Sequence, residues 1–110
     1  MSTFKSFERN ALHKLGGDTL TRTLVERLDA EGELVSLDFT GVGYFLTLRH
    51  RELPVERTVL DAPAIKGKAG ELLTGFIAFV ENNELTLECF SYGGEAVPEN
   101  YRELDVTIFA

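Results

Sequence analysis

The chain is poor in the residues that build disulfides and metal sites. Among its 110 residues there are one cysteine, Cys89, and two histidines, His13 and His50. A single cysteine cannot form an internal disulfide, which excludes the small disulfide-stapled scaffolds of secreted proteins. The cysteine and the histidines show none of the spacings typical of zinc sites. We therefore expect neither a metal nor any other cofactor.

Basic residues and long apolar runs are also scarce. Lys and Arg number 11 against 18 Asp and Glu, which gives a net charge of −7. This balance argues against binding to a nucleic-acid backbone, which requires clustered positive charge. The longest apolar runs, such as 76–80, are far too short to span a bilayer, and the N-terminus lacks the apolar segment of a secretory signal. We expect a single domain over residues 1–110, in the cytoplasm and without membrane partners.

Apolar residues recur at helical spacing in the first third of the chain. Residues 4–15 carry one apolar stripe, and Gly16 and Gly17 then favour a helix end. Asp18 suits the N-cap of a second helix that continues toward Gly32. The N-terminal third therefore predicts a helical hairpin.

After Gly32 the apolar period changes to that of strands. Residues 35–40 and 44–49 alternate as a hairpin, and residues 55–60 form a weaker third strand. Residues 61–71 contain Pro63 and two glycines, which is typical of a loop. Residues 72–80 and 84–92 predict a strand pair joined at Asn82–Asn83. We expect the first of these strands to be central in the sheet. Residues 104–109 predict a last strand. The fold class is α+β, with the helical hairpin packed on a mainly antiparallel sheet of five or six strands.

No catalytic group stands out in this pattern. Cys89 alternates inward with Leu85 and Leu87 and is surrounded by acids, so we expect a buried thiol rather than a nucleophile. The many carboxylates form pairs by chance, and none has a partner that would single it out as a general acid or base. We therefore expect no enzymatic activity.

The negative charge is concentrated at one end of the sequence. Residues 1–68 hold ten acidic and ten basic residues, whereas residues 69–110 hold eight acids and one base. Aromatic residues lie among these acids, and such a mixture suits a surface that docks a basic protein, although acidity for solubility alone is equally compatible with it. The candidate partner-binding residues are Glu84, Glu88, Phe90, Tyr92, Glu95, Glu99, Tyr101 and Glu103.

One stretch of the C-terminal half resembles a known class of proteins. The segment GFIAFVENNELTLECFSYGGEAVPE, from Gly75 to Glu99, is similar to the closing hairpin of small bacterial domains, several of which resemble immunity proteins of polymorphic and contact-dependent toxin systems. The resemblance implies a role and no particular site residues. It favours a cytosolic immunity protein that neutralises a cognate toxin domain, expected to be a basic nuclease.

Two other hypotheses remain open at this level. The first is a small ligand-binding or enzymatic domain, with a pocket between the helices and the sheet and with His50 or Tyr44 as its polar groups. The second is self-association through an exposed edge strand, which is compatible with either function.

Overall fold

In a computed structural model, residues 3–110 are described and form two helices and six strands. The helices are α1 (Ser6–Leu15) and α2 (Arg22–Glu31). The strands are β1 (Glu33–Phe39), β2 (Gly43–Arg49), β3 (Thr58–Ala69), β4 (Leu72–Glu81), β5 (Glu84–Ser91) and β6 (Thr107–Phe109), and a short 3-10 helix, η1 (Tyr101–Glu103), precedes β6. All the strands form one antiparallel sheet in the order β1-β2-β5-β4-β3-β6. The expected α+β fold is confirmed.

The helical hairpin forms much as its apolar pattern predicts. Gly17, at φ 51°, takes the left-handed conformation expected between the helices. The N-cap of α2 is Thr21 rather than Asp18, because the Thr21 hydroxyl accepts the Leu24 N–H at 3.2 Å. The second helix therefore begins one turn later than expected.

One face of the sheet packs against the helices and holds the core. We call it the inner face; Leu46, Phe76 and Leu87 are among its fully buried residues. The ring of Phe7 from α1 lies 6.1 Å from that of Phe76 and 5.9 Å from that of Tyr101. Aromatic contacts of this kind add to the free energy gained by burying apolar area. The opposite face, which we call the outer face, carries no helix from the described residues 3–110.

The β4–β5 hairpin matches its sequence signal closely. Asn82 and Asn83 have φ of 54° and 64°, as a two-residue hairpin turn requires. Leu85, Leu87 and Cys89 are buried as expected, and β4 lies inside the sheet between β5 and β3.

The strand preceding this hairpin departs from the prediction. The expected loop at 61–71 is wrong, because β3 continues through Ala69. Pro63 lies where the pairing with β4 shifts register between Leu60 and Ile65, so its missing N–H removes no ladder bond there. The last strand, expected over residues 104–109, is shorter, since β6 begins at Thr107 and pairs with β3 over Thr107–Phe109.

Candidate partner-binding site

The outer face brings together apolar and polar side chains from three neighbouring strands. Side chains alternate along each strand, so the residues between the buried ones point away from the helices. On β2, β4 and β5 these are Phe45, Thr47, Ile77, Phe79, Thr86, Glu88 and Phe90, all partly exposed. The result is a continuous, half-buried patch near the middle of the sheet.

Glu88 lies at the centre of this patch. The strand register places it beside Phe45 on β2 and Ile77 on β4. Burial among these neighbours raises the pKa of the Glu88 carboxyl. Within residues 3–110 no cation forms an ion pair with it. Glu88 is therefore a partly desolvated carboxylate set in an apolar surface.

An aromatic pair extends the patch toward one end of β5. The rings of Phe90 and Tyr92 lie 5.4 Å apart, and Tyr92 is 44% exposed. They cover Gly75 on β4, where an added Cβ would come within 2.4 Å of the Phe90 ring and 2.9 Å of the Tyr92 ring. A glycine at this position lets both rings approach the backbone of β4 closely.

Two acids of the C-terminal segment form ion pairs with arginines from residues 1–68. Glu84 pairs with Arg49 on β2, and Glu81 lies 3.6 Å from Arg57. Antiparallel pairing sets β5 beside β2, which ends with Arg49. It also sets β4 beside β3, which begins directly after Arg57. The separation of charge along the sequence is therefore not reproduced in space.

The remaining candidates lie apart from the centre of the patch. Glu95 and Glu99 are exposed in the segment after β5, and Glu103 forms an exposed pair with Lys5 at 3.1 Å. Tyr101 is completely buried, and its hydroxyl lies 2.8 Å from that of Thr74. Its expected place on the docking surface is therefore corrected: the ring fills the core, because it contacts Phe7 and Tyr44.

The polar groups expected of an internal pocket are engaged with other protein groups. The Tyr44 hydroxyl donates to Glu8 at 2.6 Å inside the core. The His50 ring accepts the Glu52 backbone N–H through Nδ1, which leaves Nε2 to donate to Glu31 at 3.1 Å. Leu12, Tyr44, Phe76 and Tyr101 fill the space between helices and sheet. This packing disfavours a ligand pocket there.

Cys89 belongs to the same buried region. Burial raises the pKa of its thiol to about 12, far from that of a reactive thiolate. Among residues 3–110 no group of three or more potential ligands could hold a metal ion. The helices in this part of the chain are also too short or too polar to cross a membrane.

The sequence analysis missed five of the seven residues of the patch. Phe45, Ile77 and Phe79 were not among its candidates, although the apolar character of both faces of β4 was a usable signal. A strand that is apolar on both faces is usually covered on both, whereas β4 has helices on the inner face alone.

Protein-family models, curated proteins and solved structures were all compared with the chain, and none of them matches it. The resemblance to immunity proteins thus stays a prediction.

Proposed function

We propose that this chain is an immunity protein that binds a basic toxin domain through the outer face of its sheet and neutralises it in the cytoplasm. The observation that carries the proposal is Glu88, a carboxylate without an ion-pair partner among residues 3–110, set between Phe45 and Ile77 on a face that no helix covers. Blocking a toxin by contact requires no chemistry from this chain.

The physical argument starts from what such a patch does in an interface. Half-buried aromatic and aliphatic side chains provide area that becomes fully buried on binding, and central residues of this kind carry most of the binding free energy. A carboxylate among them is costly to bury alone but favourable when a cation of the partner reaches it. The patch therefore favours a partner with an apolar rim around a Lys or Arg.

Electrostatics at longer range supports the same choice of partner. The net charge is −7, and Glu95 and Glu99 are exposed beyond the aromatic pair. A nuclease domain presents positive charge where it binds its polyanionic substrate. Opposite charges on the two surfaces accelerate the encounter and orient it.

The test takes any candidate toxin domain found in the genes that flank this one and measures its association and dissociation rates with this chain by surface plasmon resonance. We expect Glu88→Lys to weaken binding by at least ~100-fold, in the range of a central interface residue. Asp18→Lys is the matched control, because Asp18 is an exposed acid in the turn between α1 and α2, and we expect its affinity within about twofold of wild type.

The outcomes separate clearly. If Glu88→Lys is folded by circular dichroism and binds the toxin domain as tightly as wild type, the outer face is not the interface. Failure of the wild-type chain to bind the toxin domain or to rescue cells that express it would overturn the proposed function as a whole.

A further inference from the structure

A cleft at one end of the outer face has the composition of a guanidinium site. It lies beside the Asn82–Asn83 turn and has a volume of about 360 Å³. Glu81 and Glu84 face each other across the β4–β5 pairing, and the ring of Phe79 lies one row further along the sheet. The lining residues are Arg57, Phe79, Glu81, Asn82, Glu84 and Thr86.

The chain's own Arg57 occupies this cleft. Its guanidinium carbon lies 5.8 Å from the centroid of the Phe79 ring, and its Nη1 lies 3.6 Å from Glu81 Oε1. The Arg57 side chain is 60% exposed, so both contacts are open to water and weak. The occupant therefore demonstrates the chemistry that the cleft accepts, and a competing group can displace it at small cost.

Charge and geometry both favour a second guanidinium. When Arg57 swings out, Arg49 is the one base within residues 3–110 that still forms an ion pair with Glu81 or Glu84. An ionised carboxylate has about four acceptor positions, so Glu84 can keep Arg49 and accept another donor. A planar guanidinium can stack on Phe79 and bond to a carboxylate at the same time, whereas a lysine ammonium cannot stack.

We propose that this cleft is the subsite that receives an arginine side chain of the protein partner, which displaces Arg57. The proposal specifies the partner's chemistry on the outer face and in that respect rests on the proposed function. It implies that Arg57 holds the cleft in the free protein and leaves it in the complex.

The test measures arginine binding directly, without the toxin. N-acetyl-arginine amide is titrated into the full-length chain and its Arg57→Ala variant, and amide shifts are followed by two-dimensional NMR. We expect the variant to bind the probe at least ~5-fold more tightly than wild type, because the competing guanidinium is gone. The shifts should centre on residues 79–86.

Controls define the chemistry of the site. Arg27→Ala removes an arginine paired with Glu52 outside the cleft, and it should bind the probe like wild type. N-acetyl-citrulline amide, the neutral isostere, should cause no shifts. In the Arg57→Ala background, Phe79→Leu and, separately, the exposed Glu81→Gln should each weaken binding severalfold.

The proposal is overturned if Arg57→Ala gains no affinity for the probe, or if citrulline shifts the same amides. These results do not depend on the toxin experiment. If the cleft binds arginine while Glu88→Lys leaves toxin binding intact, the proposed interface is wrong and only the affinity of the cleft for a guanidinium stands. If Glu88→Lys loses toxin binding and the cleft does not bind the arginine probe, the proposed interface stands and the arginine subsite is wrong.

Discussion

Glu8 and Arg102 form a buried, two-pronged ion pair that ties the first helix to the end of the chain. Arg102 donates from Nε to Glu8 Oε2 and from a terminal nitrogen to Oε1, each at 2.8 Å. The Glu8 side chain is fully buried, and it also accepts from the Tyr44 hydroxyl and the Lys5 backbone N–H. These bonds raise the pKa of Arg102, so its guanidinium stays charged at neutral pH.

We expect Glu8→Ala to destabilise the protein by about 3–5 kcal/mol, since it leaves the Arg102 charge and the Tyr44 hydroxyl without their acceptor. Glu103→Ala is the control, because the exposed Lys5–Glu103 pair joins the same two segments and should contribute at most about 1 kcal/mol. Urea unfolding measures both variants. Similar losses in the two would show that the buried pair adds no more than a surface one.

The stability contributed by position 88 should depend on pH in a particular direction. Because burial raises the pKa of Glu88 in the folded state, the folded protein binds its proton more tightly than the unfolded chain does. The protonated carboxyl therefore stabilises the fold at low pH, and this contribution is lost as pH rises through the folded-state pKa. At neutral pH the ionised group is a net cost.

We accordingly expect Glu88→Gln to unfold at a higher temperature than wild type at pH 7 and at nearly the same temperature near pH 3.5. Thermal melts across this range check the trend. A constant difference between the two proteins would mean that the carboxyl is not desolvated by its neighbours. A more stable variant that also loses partner binding would identify Glu88 as a residue kept for function.

Cys89 should be almost inert in the native state. Its thiol is buried and has a pKa of about 12, which lowers the thiolate fraction by ~10³ relative to an ordinary cysteine. We expect the native protein to react with dithiobis(nitrobenzoate) at least ~100-fold more slowly than the urea-unfolded chain. Rapid labelling without denaturant would contradict this placement of Cys89.

Gly75→Ala tests the packing of the aromatic pair on the outer face. The new Cβ would collide with the Phe90 and Tyr92 rings, so we expect a loss of about 1–3 kcal/mol, typical of overpacking. At Gly93 an added Cβ meets only the flexible Glu95 side chain, at 3.3 Å, and Gly93→Ala should stay within about 0.5 kcal/mol of wild type. Thermal unfolding measures the effect, and equal stability of the two variants would place the rings elsewhere.

Local patterns were sufficient for the elements whose signals lie within a few residues. The helical hairpin, the β2 alternation and the Asn82–Asn83 turn all followed from spacing and turn chemistry. Prediction failed at β3, where Pro63 and the glycines are typical of a loop. There pairing overrides local preference, because residues 66–68 gain ladder bonds to both β4 and β6, while Pro63 falls at the register shift between Leu60 and Ile65.

The candidate site was predicted in part. Alternation along β5 places its even-numbered residues on one face. That face holds the candidates Glu84, Glu88 and Phe90, and Tyr92 follows directly after the strand. Tyr101 was misplaced because an aromatic residue among acids predicts a surface position. In the fold its ring is buried and its hydroxyl has a buried partner in Thr74. Phe45 and Phe79 were missed because their exposure depends on the absence of a covering helix.

The sequence by itself determined the fold class and the excess of acid in its last 42 residues, since periodicity and composition are local properties. Tertiary structure decided which of those acids remain without a counter-charge. Antiparallel pairing brings Arg49 to Glu84 over 35 positions, whereas Arg102, the one base of those 42 residues, is paired with Glu8 in α1 over 94 positions. Glu88 has no ion-pair partner within residues 3–110, because its neighbours across the strands are Phe45 and Ile77, and that arrangement exists only once the sheet has formed.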